Sequence, residues 1–349
     1  MKLRELSELL QLSQTTVSRA LNGYPEVSEA TRRRVLEAAR AHGYRANVRA
    51  RSLATGRAMA IGHVIPLTVR HEMVNPVFSD FIAGAGEVYA ARGYDMVLSL
   101  VPDEKQAEAY HELKTKGSVD GLIVHAPAAG DKRIHLLTEI GLPFVVHGRA
   151  TDALDDYSWV DMNNTRAFRR ATELLLDLGH RRIALVNGLE SLDFALRRRA
   201  GFEAALRARG LEPDPGLIFS DEMTEGYGHD TARALLARPD APTAFLASSI
   251  IVAIGIRRAI EEAGLKMGRD VSVITHDDDL GYLQNRAEVP VFTATRSSVR
   301  EAGRQAATIL LDQIENRAEG PVHVMLEAEF ILGQSTGPAP KSIQHDEAT

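Results

Sequence analysis

Ser13-Gln14-Thr15-Thr16-Val17-Ser18-Arg19-Ala20-Leu21-Asn22 is the stretch on which the reading of this chain turns. Val17, Ala20 and Leu21 recur at helical spacing and supply a buried face. Gln14, Thr15, Thr16, Ser18 and Arg19 remain outside as donors, with no acid among them. Ser13 is placed to cap the helix and Asn22-Gly23 to end it. Upstream, Leu3, Leu6, Leu9 and Leu10 mark another short helix. Downstream, Ser28 is placed to cap a third, Glu29 to His42, with Val35, Leu36, Ala38 and Ala39 inward and Gly43 as the stop. Two short helices joined by a tight turn, the second headed by small hydroxylated residues, meet the demands of a helix-turn-helix. The second helix must enter a major groove, so its first turn can be neither bulky nor acidic. Arg19 suits guanine O6/N7 and Gln14 suits a base edge, while hydroxyls and helix-start N–H groups suit phosphates. A generic amphipathic hairpin fits the same spacing.

Charge separates this end from the rest. The chain of 349 residues carries a formal charge of −6. Residues 1–57 hold 11 basic and 5 acidic side chains, a net of +6, against 30 and 42, a net of −12, in the remainder. A basic end on an acidic body points to a polyanion partner for that end alone, or to a solvated charged helix such as Thr31-Arg32-Arg33-Arg34. There are no cysteines, so disulfides and thiolate-held zinc are excluded. No apolar stretch is long enough to span a membrane, and the charged start lacks the pattern of an export signal. The expected location is the cytoplasm, with no membrane partner.

From Met59 the pattern changes. Ala60–Ile65, Met96–Val101, Gly121–His125, Phe144–Val146, Ile183–Val186, Ala244–Ala247 and Val271–Thr275 lack polar alternation, as strands buried on both faces do. Helical patterns lie between them: Asp80–Arg92, Arg166–Leu178, Arg197–Arg209, Ile251–Ala263 and Val299–Glu315. Gly84-Ala85-Gly86 inside the first reads as close helix packing. The result is an α/β fold with parallel sheet, long enough for two lobes.

Leu12 to Gly23, then Val27-Ser28-Glu29-Ala30-Thr31-Arg32, Gly43-Tyr44 and Ala50-Arg51-Ser52-Leu53-Ala54-Thr55-Gly56, resembles the LacI/GalR family of repressors. The resemblance covers essentially the whole chain. It implies an N-terminal all-α helix-turn-helix domain (1–45), a hinge helix (46–57), and a two-lobed core like type I periplasmic binding proteins (58–337). Lobe 1 would take about 58–160 and 291–320, and lobe 2 about 161–290 and 321–337, leaving 338–349 as a flexible tail. By the same resemblance Gln14, Thr15 and Arg19 read bases. Ser13, Thr16, Ser18, Asn22, Ser28, Thr31 and Tyr44 lie on the phosphate side. Asn47, Ala50 and Leu53 sit in the minor groove, where an apolar wedge kinks DNA. Gln11 stands where the family usually has Gly, and Ala46 where Pro is common. The implied partners are a near-palindromic double-stranded operator, a second copy of the chain, and a small sugar effector. The amino-terminal stretch is most similar to repressors of α-glucoside utilisation.

Ligands of such cores lie off the carboxyl ends of parallel strands. The resemblance places Arg198, Asp277, Ser248 and Phe78 there. Arg198 is a planar fork for hydroxyls and carbonyls, Asp277 an acceptor, and Phe78 a stacking face or a core residue. Ser248-Ser249 replaces the family's Asn-Asp, Gly148-Arg149 a common Asp-Arg, Asn163-Asn164 an Asp-Asn, and Thr275-His276 a Gly-aromatic pair. Neither a catalytic residue nor a metal or cofactor is expected. His276 beside Asp277-Asp278-Asp279 has no second His at ligand spacing, and no nucleotide-binding glycine loop follows a strand. A sugar-binding protein without a DNA role, or an enzyme, are the rival readings.

Overall fold

The computed structural model describes residues 1–21, 24–44, 56–66, 75–151, 156–276, 279–285, 288–317 and 319–340. Asn22, most of the expected hinge with Asn47, Ala50 and Leu53, the effector candidate Asp277, and the tail from 341 lie outside them. The chain divides into two compact units, Met1–Met59 and Ala60–Thr349.

The first unit holds α1 (Leu3–Leu10), α2 (Gln14–Leu21) and α3 (Glu29–Ala41). Its core is Leu6, Leu10, Val17, Ala20, Val27, Val35 and Ala39, one apolar stripe from each helix plus the loop valine. Leu21 and Ala38 pack at its edge, whereas Leu36, expected inward, is exposed. Leu36 follows Val35 directly, and the helical turn that buries Val35 swings its neighbour to the outer face. Ser13 Oγ accepts from Thr16 N–H (3.0 Å), and Ser28 Oγ from Thr31 N–H (3.3 Å), so both expected caps form.

The α1–α2 turn is a Schellman motif without its usual glycine. Leu12 N–H donates to Ser7 O and Gln11 N–H to Glu8 O, with Gln11 left-handed at φ 52° and ψ 41°. A side chain at that backbone costs energy that glycine avoids. Arg34 of α3 donates from Nη2 to Leu10 O (2.6 Å), tying the exposed helix end to the third helix. Gln11→Gly is expected to raise the stability of this unit by about 0.5–1 kcal/mol, relief of strain outweighing the added unfolded-state freedom. Denaturant midpoints of wild type and variant check this; a lower midpoint would mean the glutamine makes compensating contacts.

In the second unit the chain runs β1 (Ala60–Pro66), α4 (Pro76–Arg92), β2 (Asp95–Val101), α5 (Gln106–Thr115), β3 (Gly121–His125), α6 (Lys132–Ile140), β4 (Phe144–His147) and β5 (Ser158–Met162). It continues through α7 (Asn164–Asp177), β6 (Ile183–Asn187), α8 (Asp193–Ala208), β7 (Ile218–Ser220), α9 (Glu225–Leu236), β8 (Ala244–Ala247), α10 (Ile250–Glu262), β9 (Ser272–His276) and β10 (Thr293–Arg296). The last elements are α11 (Val299–Ile314), β11 (His323–Leu326) and β12 (Glu329–Ile331).

Among the described residues two six-stranded sheets form, ordered β11-β5-β4-β3-β1-β2 and β12-β10-β9-β8-β6-β7. All described pairs are parallel except β10–β12. The lobe limits therefore differ from those expected. Thr293 pairs with Ile274, which puts 293–296 in the second lobe; His323 pairs with Trp159, which puts 323–326 in the first. Both are four-residue strands, β11 at the edge of its sheet and β10 between β12 and β9, and long-range pairing, not local pattern, assigns them. Residues 338–340 are also docked rather than free, with Ala339 N–H donating to Leu178 O (2.8 Å).

Local signals explain the helices that flank the cleft. Asn75 caps α4 through Val77 N–H (3.0 Å), Pro76 supplies a preset φ, and Gly93 ends the helix left-handed at φ 73°. Gly84 does mark close packing. A Cβ there would lie 2.0 Å from Arg300 O of α11, and one at Gly303 2.2 Å from Phe81 O. Lobe 2 is built on Phe168, Leu175, Phe202, Leu246 and Ile274, all fully or almost fully buried.

Candidate functional site

On α2 the expected readers lie on one exposed face. Gln14, Thr15 and Arg19 are exposed, Thr16 and Ser18 half-buried, while Val17 and Ala20 face the core. Ser13 and Thr16 pair through their hydroxyls at 2.8 Å, as do Ser28 and Thr31 at 2.9 Å. Each pair therefore marks a helix N-terminus whose free N–H groups suit an anion. Tyr44 packs half-buried against the core, and burial raises its phenol pKa. The basic run of α3 is partly structural: Arg32 Nη2 holds Tyr24 O (3.0 Å) and Arg34 holds Leu10 O.

In the second unit a cavity of about 170 Å³ opens off the carboxyl ends of β3, β4, β5, β8 and β9. That is far more room than one water needs. Arg198 lies in its wall, buried on α8. Its Nε donates to Asn164 Oδ1 (2.8 Å) and its Nη1 to Ser248 O (2.9 Å). The guanidinium stands 4.7 Å from the Phe194 ring centre and 5.1 Å from that of Phe168. A plane fixed on this many sides loses little freedom when it binds.

The neighbouring arginines, one helix step away on either side, point elsewhere. Arg197 bonds Asp161 of β5 and lies 3.1 Å from Asp193; Arg199 holds Glu190 (2.8 Å) and Glu203 (2.7 Å). Arg149 approaches Asp161 at 3.0 Å, and Asp193 accepts from Thr151 Oγ1 (2.8 Å). This cluster, centred on buried Asp161 and Asp193, joins the end of the first sheet to α8 of the second lobe. Burial pushes the Asp161 pKa up against the pull of Arg197 and Arg149.

Phe78 does line the cavity, its ring edge-on to His125 at 5.2 Å, so it serves both cleft and core. Ser248 does not line it. That hydroxyl is spent on Asn187 Oδ1 (2.9 Å), and Ser249, which caps α10, takes the wall position. Asn164, Phe194, His125, His147 and His276 were not singled out as contacts from sequence. His125, His147 and His276 each end a strand, and the rule that ligands sit off carboxyl ends would have found them. His276 Nδ1 and Thr295 Oγ1 are 2.7 Å apart, which orients that ring.

Beneath the lobe 1 wall, His63 Nδ1 lies 2.9 Å from His125 Nε2, and His63 Nε2 lies 3.3 Å from the Tyr89 hydroxyl. Among the described residues no group of three or more His, Asp or Glu is arranged to hold a metal ion. Burial lowers His63 to about 3; burial, then the neighbouring His63, His147 and Arg133, lowers His125 well below its ordinary value. Both are therefore held neutral when folded. Their folded pKa lies below the unfolded value of 6.5, so their contribution is complete above that pH and is lost on acidification, for His63 as pH falls towards 3. For His63 that loss is expected to reach about 2 kcal/mol by pH 5. Melting temperatures between pH 8 and pH 5 should fall less steeply for His63→Asn than for wild type. Parallel slopes would show that His63 is charged or solvated.

A helix-turn-helix with a donor-rich face, and a two-lobed α/β core around a largely apolar cleft with a few polar groups such as Arg198, on one chain, define a ligand-responsive DNA-binding regulator. The model for bacterial regulatory proteins of the lacI family matches residues 3–47, and that for a periplasmic binding protein-like domain matches residues 172–336. The HTH-type transcriptional regulator AglR of Rhizobium meliloti (strain 1021) is 45% identical over 338 residues, 97% of this chain and 95% of the relative. RafR of Escherichia coli, also an HTH-type transcriptional regulator, is 32% identical over 96% of this chain and 98% of its own. A solved complex of the transcriptional regulator CelR with cellobiose superposes with a TM-score of 0.71 at 28% identity, over 96% and 99% of the two chains. The lac repressor dimer bound to operator and the anti-inducer ONPF gives 0.79 at 25% identity, over 97% and 99%. The chain belongs to the LacI family of bacterial regulatory proteins. It is a transcriptional regulator, not an enzyme.

Proposed function

We propose that the protein represses a carbohydrate-utilisation operon from the cytoplasm, binding a near-palindromic operator as a homodimer and leaving it when a small sugar enters the cleft. The carrying observation is Arg198, buried in the wall and clamped by Asn164, the Ser248 carbonyl and two phenyl rings. Such a fork recognises paired hydroxyl or ring oxygens. The cellobiose complex of CelR supports a disaccharide in this kind of core. The amino-terminal likeness to repressors of α-glucoside utilisation favours an α-glucoside. Gln14, Thr15 and Arg19 are the proposed base readers, with Ser13, Thr16, Ser18, Asn22, Ser28, Thr31 and Tyr44 on the phosphate side. Asn47, Ala50 and Leu53 are proposed for the minor groove. Asp277 is the proposed acceptor beside Arg198 and Phe78. Among the described residues no helix is long and apolar enough to cross a membrane.

Gel shifts of the full-length protein on its own promoter region, with and without sucrose, maltose or trehalose, test this. A saturable, sequence-dependent shift reversed by at least one sugar is expected. Salt-sensitive association with every duplex alike would overturn the DNA assignment; a specific shift untouched by any sugar would overturn the effector class. Trp159, the single tryptophan, reports on the cleft independently. It stacks on His323 at 4.8 Å and lies under Arg149 at 5.4 Å, and Arg149 lines the cavity.

A further inference from the structure

We infer that Tyr89 and His63, neither of which lines the cleft, form a one-directional hydrogen-bond relay that makes His125 a donor towards the effector. The inference rests on reading the cleft as the effector site, and makes Tyr89 and His63 positioning residues for its specificity.

Tyr89 of α4 is 2% exposed, and its hydroxyl meets the His63 ring at 3.3 Å. Its burial raises its pKa, so it keeps its proton. A phenol is a stronger donor than acceptor, and here it donates to His63 Nε2. A neutral imidazole has one donor and one acceptor nitrogen. With Nε2 accepting, His63 carries its proton on Nδ1 and donates it to His125 Nε2, 2.9 Å away. His125 must then hold its own proton on Nδ1. That nitrogen has no hydrogen bond to any described residue, while the ring borders the cavity.

The surroundings hold the ring still without supplying a competing partner. Phe78 and Phe81 of α4 meet His125 edge-on at 5.2 and 5.0 Å, and His147 of β4 at 6.0 Å. Arg133 of α6, paired with Asp131 at 2.6 Å, bonds the His125 carbonyl rather than its ring. Its positive charge, like the burial, disfavours an imidazolium. The donor is thus uncharged and fixed, suited to an acceptor oxygen of a neutral sugar (a hydroxyl, ring or glycosidic oxygen) rather than to a cation.

Long-range proton–nitrogen spectra of full-length protein labelled at histidine test the relay. His63 and His125 are assigned by the signals lost in His63→Gln and His125→Gln. At pH 7 both rings are expected to be neutral and to carry hydrogen on Nδ1, the minor tautomer of free histidine. Either ring with its proton on Nε2, or charged, overturns the relay. Tyr89→Phe removes the donor that sets the direction while keeping the ring. Both tautomers are then expected at His63 and His125, with sugar-free operator binding unchanged. Affinity for the best-binding of sucrose, maltose and trehalose, followed by Trp159 fluorescence, should fall on the order of tenfold. Unchanged affinity and unchanged ranking of the three sugars overturn the specificity role even with the tautomers as expected. If no sugar binds the wild type, the effector reading fails instead, and the spectra alone decide the relay.

Discussion

Arg198→Ala is expected to weaken effector binding by about 3 kcal/mol, on the order of a hundredfold, while sugar-free operator binding persists. The loss has two parts. The effector loses a charge-assisted donor pair held by Asn164 and Ser248 O, and the wall loses the cation seated between Phe194 and Phe168. Asn164 Oδ1 and Ser248 O also lose a donor, so lobe 2 is expected to melt earlier. Arg198→Lys separates the parts. It retains charge but cannot span Asn164 and Ser248 O with one rigid plane, so it should recover stability before affinity. Titration by Trp159 fluorescence beside gel shifts gives both readouts. Undiminished release of Arg198→Ala by sugar would remove Arg198 from the site; joint loss of operator and sugar binding would make it structural only.

The other large effect lies in the first unit. Arg19→Ala should weaken binding of the best operator by about 1–3 kcal/mol and flatten the preference at one base pair of each half-site. Arg19 is exposed on α2 one residue before buried Ala20, which fixes the direction it points. Competition with an operator series changed one base pair at a time distinguishes two contact types. A base reader loses discrimination at one position. A phosphate contact weakens all sequences alike and lowers the salt slope by about one. The second pattern would move Arg19 to the backbone side.

Much of the architecture is readable from local pattern. The three described helices of the first unit and their Ser13 and Ser28 caps appear where spacing puts them, because a cap is a contact between residues three apart. The strands buried on both faces, such as Gly121–His125 and Ala244–Ala247, are equally plain as continuous apolar runs. Ser158–Met162, Thr293–Arg296 and His323–Leu326 were not read, since short strands with polar members have no periodicity to set them apart.

The candidate site divides on the same line. Arg198 and Phe78 could be named from motif, and both face the cleft. Ser248 was named one residue early. Its place at the strand end is legible, but whether it or Ser249 turns to the cavity depends on Asn187, 61 residues distant, taking the Ser248 hydroxyl.

By itself the sequence determined a basic, donor-rich helical module followed by alternating strands and helices, because caps, stripes and apolar runs act over a few residues. Only tertiary structure decided which strand joins which sheet, which of two successive serines reaches the cleft, and that Tyr89, His63 and His125 stand in line. Those outcomes depend on hydrogen bonds between residues tens of positions apart, and no local preference encodes a partner that the folded chain alone brings within 3 Å or so.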